Sequence, residues 1–447
     1  MQEEYQKLLE EQQEARKLSR EKKQKDKVIT SEKPIDIEFF MRGVYYNQDL
    51  PEGSANSPIK PRQYTGDVRL DWSLNRKKGK AYVYAGGWFE YGNQNEIYRD
   101  ILQIFNNRKE GRGIIELNEL YFLNSWENVD LSVGKKVFKM GVANIHSPAD
   151  RVTPKDLYDP LNHKDLGNYM INPDIYFGSV TLRYALVPFF LPTKAPRLQN
   201  RVSSDAIPDA AKADPNYPDP ELKYFQNVLQ FKGTALGWDW FLGFLYGPSQ
   251  YATYKEYFDL SDLLNSKYTE EYPKVFISTF GYSTTFGKVG HYAEVLSQKS
   301  EGGQDDEFIN YVLGMTYTIS EWSKFLFLDQ IKIIYEFSRE KLQKKQYAAS
   351  YIHTSTDSRT HKHAHLGRID FEYSPTFGLN YSFDYDLLRD SKLQIYGLEW
   401  KPSDGHKVRF NYETFEGSTQ TVLSLIQDSD GIVDKFERFT LSYNYTF

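Results

Sequence analysis

The sequence predicts an all-β protein: a closed antiparallel β-barrel that crosses a membrane with about 18 strands, 16 being the alternative count. Three observations carry this. From Ile35 to Phe447 apolar and polar residues alternate with a period of two, which gives each strand two differently wetted faces. The apolar face is aromatic rather than branched aliphatic, with 35 Tyr and 29 Phe in a chain that is 40% hydrophobic. The links between alternating segments are short and long in turn, the pattern of a barrel with tight turns at one end and loops at the other.

Residues 2–27 are rich in Glu, Gln, Lys and Arg, with a thin apolar stripe of Tyr5, Leu8, Leu9, Ala15 and Leu18 at helical spacing. An exposed N-terminal helix is expected, forming an arm over 1–33 that Pro34 ends; the plainer reading is a partly disordered leader. The barrel is expected over 34–447. "VRLDWSLN" (68–75) sets Val68, Leu70, Trp72 and Leu74 against Arg69, Asp71, Ser73 and Asn75. "RIDFEY" (368–373), "FGLNYSFDYDL" (377–387), "KVRFNYE" (407–413) and the terminal "RFTLSYNYTF" (438–447) repeat the pattern. Such strands match the roughly 9–11 tilted residues that cross a bilayer. Tyr and Trp near their ends would form aromatic girdles.

Short links fall at 76–79, 127–128, 234–237, 286–288, 320–324, 374–376 and 402–405. Longer ones fall at 48–63, 92–112, 188–222, 248–272, 299–306, 340–362, 388–391 and 417–433. Counting back from Phe447 makes the strand near 179–187 run toward the long loops, and counting forward from Ile35 gives the strand near 129–141 the same direction. A returning strand must therefore lie within 142–178, and "NYMINPDIYF" (168–177), followed by Gly178-Ser179, is the best candidate.

Several functions are excluded or disfavoured. No apolar run reaches about 18 residues, so no helix in the sequence can cross a membrane. A net charge of −6 and a pI near 5.9 leave no surplus cation for nucleic acid. With Cys 0 there is neither disulfide nor thiolate chemistry. The start shows no apolar signal segment, so an exported protein would carry this numbering after processing. No Ser–His pair is placed on adjacent strands, and "SEGGQDD" (300–306) precedes a strand rather than a helix. Neither an enzyme nor a cofactor is expected.

The terminal aromatic strand ending in Phe447, "LSVGKKVFKMG" (131–141) and "SPADRVTPKDLYDP" (147–160) resemble the bacterial outer-membrane porin superfamily that includes alginate-export and phosphate-selective porins. The family pattern is a Gly and a basic residue on a short strand ending near Trp-Gly, then repeated Pro-x-Asp turns. Here Met140 stands where Trp is usual, and the Pro-Ala-Asp and Pro-Lys-Asp steps are inexact. The resemblance covers about 410 residues and implies an outer-membrane location, contact with outer-membrane lipids, and Tyr445 and Phe447 as the signal read by the barrel-assembly machinery.

Polar members of the strands should face the lumen. They include Arg42, Arg69, Arg183, Lys332, Arg368, Lys407, Arg409 and Arg438, opposed by Asp36, Glu38, Asp67, Asp71, Glu336, Asp370, Glu372, Asp384, Asp386 and Glu413. The signs nearly balance, so weak ion selectivity is expected. The Pro-rich segment 142–173 is the expected constriction, with His146, Asp150, Arg151, Lys155, Asp156 and Asp159 as its charges; an external cap is the competing reading. His361, His363 and His365 share one strand face and form a weak metal candidate, expected to point outward toward lipid phosphates. The resulting expectation is a channel for small hydrophilic solutes. Its alternative is a barrel scaffold that docks a periplasmic or electron-transfer partner, or another copy, through residues 2–27.

Overall fold

A computed structural model describes residues 34–47, 63–93, 98–103, 112–157, 159–194, 215–258, 266–320, 327–348, 351–353, 359–388, 390–416 and 435–447. The helical arm expected over 1–33 lies outside these residues.

The first part of the wall comprises β1 (Ile35–Tyr46), β2 (Tyr64–Lys78) and β3 (Ala81–Gly92). A short β4 (Tyr98–Gln103) pairs parallel with the edge of β5 (Arg112–Ser125). After β6 (Val129–Lys136) come two minimal strands inside a long link, β7 (Lys155–Asp156) and β8 (Lys164–Asp165). The wall resumes with β9 (Asn168–Phe177), β10 (Val180–Val187), β11 (Gln226–Ala235) and β12 (Trp238–Pro248). In a separate three-stranded sheet, β13 (Thr253–Phe258) lies between β14 (Ser266–Glu271) and β19 (Tyr351–His353). The remaining wall strands are β15 (Lys274–Phe286), β16 (Val289–Ser300), β17 (Glu307–Ile319), β18 (Gln330–Lys344), β20 (His363–Ser374), β21 (Phe377–Asp386), β22 (Ser391–Trp400), β23 (His406–Glu416) and β24 (Lys435–Thr446).

Each wall strand pairs antiparallel with the next, and β24 returns to β1 from Glu38↔Thr446 to Tyr46↔Arg438. The barrel is therefore closed, with 18 strands. Closure removes the open edges that an amphipathic sheet would otherwise expose. The terminal residue takes part, because Phe447 N–H donates to Ile37 O at 3.0 Å. The returning strand demanded by the link count is β9, between β6 and β10. Its turn uses Gly178 at φ 59°, where a side chain would be strained.

Outward positions are apolar and exposed, among them Met41, Phe280, Leu313, Phe410 and Leu441. Rows of such residues on successive strands form the apolar band expected of a membrane-facing wall. The inner face departs from the expected uniform polarity. From β9 to β17 its buried residues include Met170, Val187, Val228, Leu245, Val275, Ile277, Leu296 and Phe308. They pack against Phe138, Met140, Ala149 and Val152 of the link between β6 and β9. On this side the inner face mixes apolar residues with buried polar ones such as Gln230, Thr279 and Asn310, because it meets protein instead of water. Each large apolar side chain so buried contributes about 1.5–3 kcal/mol.

The strand expected to run to Gly141 leaves the wall after Lys136. Val137 N–H turns to Glu119 Oε1 (2.9 Å) and Phe138 N–H to Thr153 Oγ1 (3.0 Å), so side chains replace the ladder.

Candidate functional site

The link 137–167 is held at both ends by one irregularity of the wall. Gly86 faces Glu119, yet Gly87 faces Leu117, so Asn118 is an inserted residue in β5. Such a bulge re-aims side chains. Here Glu119 receives the departing Val137 N–H, while Asn118 Oδ1 accepts from the returning Gly167 N–H at 2.9 Å. Asn118 Nδ2 also donates to Asp165 O at 3.1 Å. Gly87 is required, since a Cβ there would lie 2.0 Å from Glu116 O.

Across the barrel two wall carboxylates hold the middle of the link. Glu294, in the centre of β16, accepts from the N–H groups of Val142, Ala143 (2.6 Å) and Ala149 (3.3 Å) and from Ser147 Oγ (2.8 Å). Glu336, in the centre of β18, accepts from the N–H groups of Asn144, Ile145 and His146, each at 2.8 Å, and from Tyr292 OH at 2.7 Å. A charged acceptor makes each of these bonds stronger than a neutral one. Gly141 permits the approach, because a Cβ would stand 1.8 Å from Ser147 Oγ and 2.7 Å from Glu294 Oε1. As both carboxylates sit mid-strand, the link runs inside the barrel and not over its mouth.

A third anchor lies at the seam where the barrel closes. Asp159 accepts from Arg42 of β1 (2.6 Å) and Arg438 of β24 (3.3 Å). Those guanidiniums also engage Asp67 (2.8 Å) and Glu413 respectively. Burial alone would raise the Asp159 carboxyl, but Arg438 and Arg42 together hold it well below the usual carboxylate range. A fourth anchor is Arg112, which binds Asp156 and Glu90 at 2.7 Å each, Glu90 also meeting Lys164.

The expected site residues thus come together, mostly as anchors. Asp156 and Asp159 fix the link to the wall. Asp150 Oδ1 accepts from Met140 N–H (2.8 Å) and Gly141 N–H (3.1 Å), closing a turn within the link. Arg151 is buried with its guanidinium 4.5 Å from the Tyr251 ring. Lys155 is half-buried, its N–H bonded to Thr193 Oγ1 at 3.2 Å. The expected boundaries 142–173 shift to 137–167, because 168–173 belong to wall strand β9.

Of the wall residues, Arg69 pairs with Asp71, Arg368 with Asp370 and Arg409 with Glu399, at 2.7–2.8 Å. Lys407 is half-buried on the same inner row of β23 as Arg409. Tyr445 and Phe447 face outward with their rings 4.6 Å apart. The three histidines do not converge. His361 sits at φ 58°, which breaks the alternation and turns it inward to Asp384 Oδ2 at 2.8 Å, while His363 and His365 stay outside on β20. Among the described residues no group of three His, Asp or Glu side chains is arranged to hold a metal.

The ring of His146 lies 4.6 Å from that of His361. Burial pushes the His146 imidazole well below its ordinary value of 6.5, and His361, Lys155 and Arg151 push the same way. The packed link therefore refuses a proton that a released link would accept, so its stability is lost as pH falls below 6.5. The thermal stability of the packed link is expected to fall between about pH 7 and pH 5, and His146→Gln is expected to flatten that fall. An unchanged acid response in the variant would contradict this assignment.

Reading the sequence missed Glu294, Arg112 and Glu90 as anchors. The available signal for Glu294 is a lone charge on an inner row, set between the apolar Tyr292 and Leu296.

No family model matches the sequence, and no curated protein matches it. Among solved structures the chain is similar to Pseudomonas aeruginosa OccK8 (OprE) at 10% identity, covering 92% of this chain and 98% of that one, with a TM-score of 0.50. P. aeruginosa OpdK with vanillate gives 9% identity, 92% and 98% coverage and a TM-score of 0.49. The outer membrane channel DcaP of Acinetobacter baumannii gives 10%, 92% and 96%, and 0.41. At such identities the likeness to OccK8 concerns the fold alone, a closed antiparallel barrel.

Proposed function

We propose that the chain is a channel of a bacterial outer membrane, through which small hydrophilic solutes diffuse along one side of a barrel narrowed by residues 137–167. The carrying observation is the asymmetry of the interior. From β9 to β18 inner residues such as Val228, Thr279, Leu296, Asn310 and Glu336 are buried at 0–2% exposure beneath the link. From β20 round to β3, several inner residues below the Asp159 anchor keep contact with solvent, the side chains of Arg368 and Arg409 being 50% and 46% exposed, while Phe40, Tyr82 and Ser442 are buried between them. A cavity of about 250 Å³ between Asp36, Glu38, Asp71, Tyr84, Trp88 and Glu119 belongs to the same side. The path is thus an off-centre crescent with a polar wall. Its arginines Arg69, Arg368 and Arg409 are paired with carboxylates, which supports weak selectivity.

Single-channel recording in planar bilayers with a salt gradient tests this reading. Discrete openings with a small reversal potential are expected, unchanged by deletion of residues 2–30. Absence of openings, or a reversal potential near the ideal value for one ion, would overturn it. Loss of a co-purifying partner on that deletion, with no openings from either chain, would favour the scaffold alternative.

A further inference from the structure

On the outside of the barrel, at the long-loop ends of β18 and β20, basic groups gather just beyond a band of aromatic rings. We propose that this patch binds the phosphate groups of an outer-leaflet lipid; the inference rests on the membrane placement read above.

Alternation fixes the direction of these side chains. Glu336 and Ser338 of β18 and Ala364 and Leu366 of β20 are fully buried on the inner face, so Phe337, Arg339, Lys341, His363 and His365 face outward. Pairing sets Arg339 opposite His363, and Phe337 opposite His365. With strands about 4.8 Å apart and same-face residues about 6.8 Å apart along a strand, the four basic or imidazole groups can reach a common headgroup. Arg339 and Lys341 are exposed, and among the described residues neither forms an ion pair. The nearest acid in sequence, Glu340, points inward and is held by Arg359 at 2.8 Å. Lys392 lies two strands away, opposite Tyr385, but faces Glu416 on its other side and is only a flank.

The imidazoles are fixed rather than free. His365 Nδ1 meets Tyr335 OH at 2.5 Å, which leaves Nε2 as its outward edge. The Phe337 ring packs against both His363 (5.8 Å) and His365 (5.2 Å). Toward the short-turn end the same face carries Tyr335 of β18, in ring contact with His365, and Phe383, Tyr381 and Tyr396, in ring contact with one another along β21 and β22. Aromatic rings of this kind mark the boundary of the headgroup layer. Cations immediately beyond it stand at phosphate depth, where an arginine fork can grip two phosphate oxygens and a lysine supplies a point charge.

Thermal unfolding of the purified full-length barrel in zwitterionic micelles tests the site. The probes are a bis-phosphorylated glycolipid of the lipid A type, its dephosphorylated form, and inorganic phosphate. The phosphorylated lipid is expected to raise the unfolding temperature, with the other two giving little shift. The double variant Arg339→Gln/Lys341→Gln should bind it at least about tenfold more weakly. Both positions are exposed, and single-channel conductance of the double variant is expected to match the parent. Equal shifts with both lipids, or a full shift in the variant, would overturn the site, and an equal shift with inorganic phosphate would make it an ion site rather than a lipid site. If lipid binding fails while conductance persists, only this inference falls.

Discussion

Replacing Glu294 and Glu336 together with alanine is expected to release residues 142–149 from the wall and raise single-channel conductance well above the parent value. Between them the carboxylates accept six backbone N–H groups, one hydroxyl of the link and one of the wall. Deleting them strands those donors in an interior that offers few alternatives, at about 1–3 kcal/mol per unsatisfied group. The loss is not additive, because a released link regains water; about 3–5 kcal/mol for each carboxylate is a reasonable scale. Strand pairing does not depend on either side chain, so the barrel should still fold. Hydrogen exchange gives the direct readout: amides of 142–149, protected in the parent, should exchange fast in the double variant. Unchanged protection would refute the role given to both residues.

Asp159→Ala is expected to act on both stability and ion preference. Arg42 and Arg438 approach one another through this carboxylate at the seam between the first and last strands. Without it each keeps one acidic partner, Asp67 or Glu413, and the cluster passes from one net negative charge to neutral beside the proposed path. Removing one member of a buried charge network costs about 3–5 kcal/mol. A lower urea midpoint and a reversal potential shifted toward anions are both expected. Asp159→Asn, which keeps the shape, should show the shift in selectivity with a smaller loss of stability. A midpoint and reversal potential equal to the parent's in both variants would contradict the anchor.

The barrel was legible in the sequence because closure is a counting problem. Alternation assigned faces, link lengths assigned directions, and the clash between two strands running the same way forced a crossing where β9 now lies. The inner surface was less legible. A polar residue on the inner row reads as solvent-facing whether it meets water or a backbone amide, so alternation places Glu336 on the wall without revealing its role as an anchor. Glu294 gives no such reading, because its neighbours Tyr292 and Leu296 on that row are apolar where a second layer of protein covers them. His361 shows a different limit. Its spacing from His363 and His365 implies one face, yet a single positive φ undoes the period, and nothing in "SRTHKHAH" announces it.

The most direct test of the one-sided path uses the absence of native cysteine. Single variants Ser382→Cys and Asn411→Cys place a thiol on the exposed side, and Thr279→Cys and Asn310→Cys place one beneath the link. A charged, membrane-impermeant thiol reagent applied during single-channel recording should reduce current through the first pair and leave the second pair unaffected. Block at Thr279→Cys and Asn310→Cys, with Ser382→Cys and Asn411→Cys silent, would put the path on the other side of the barrel and contradict the account.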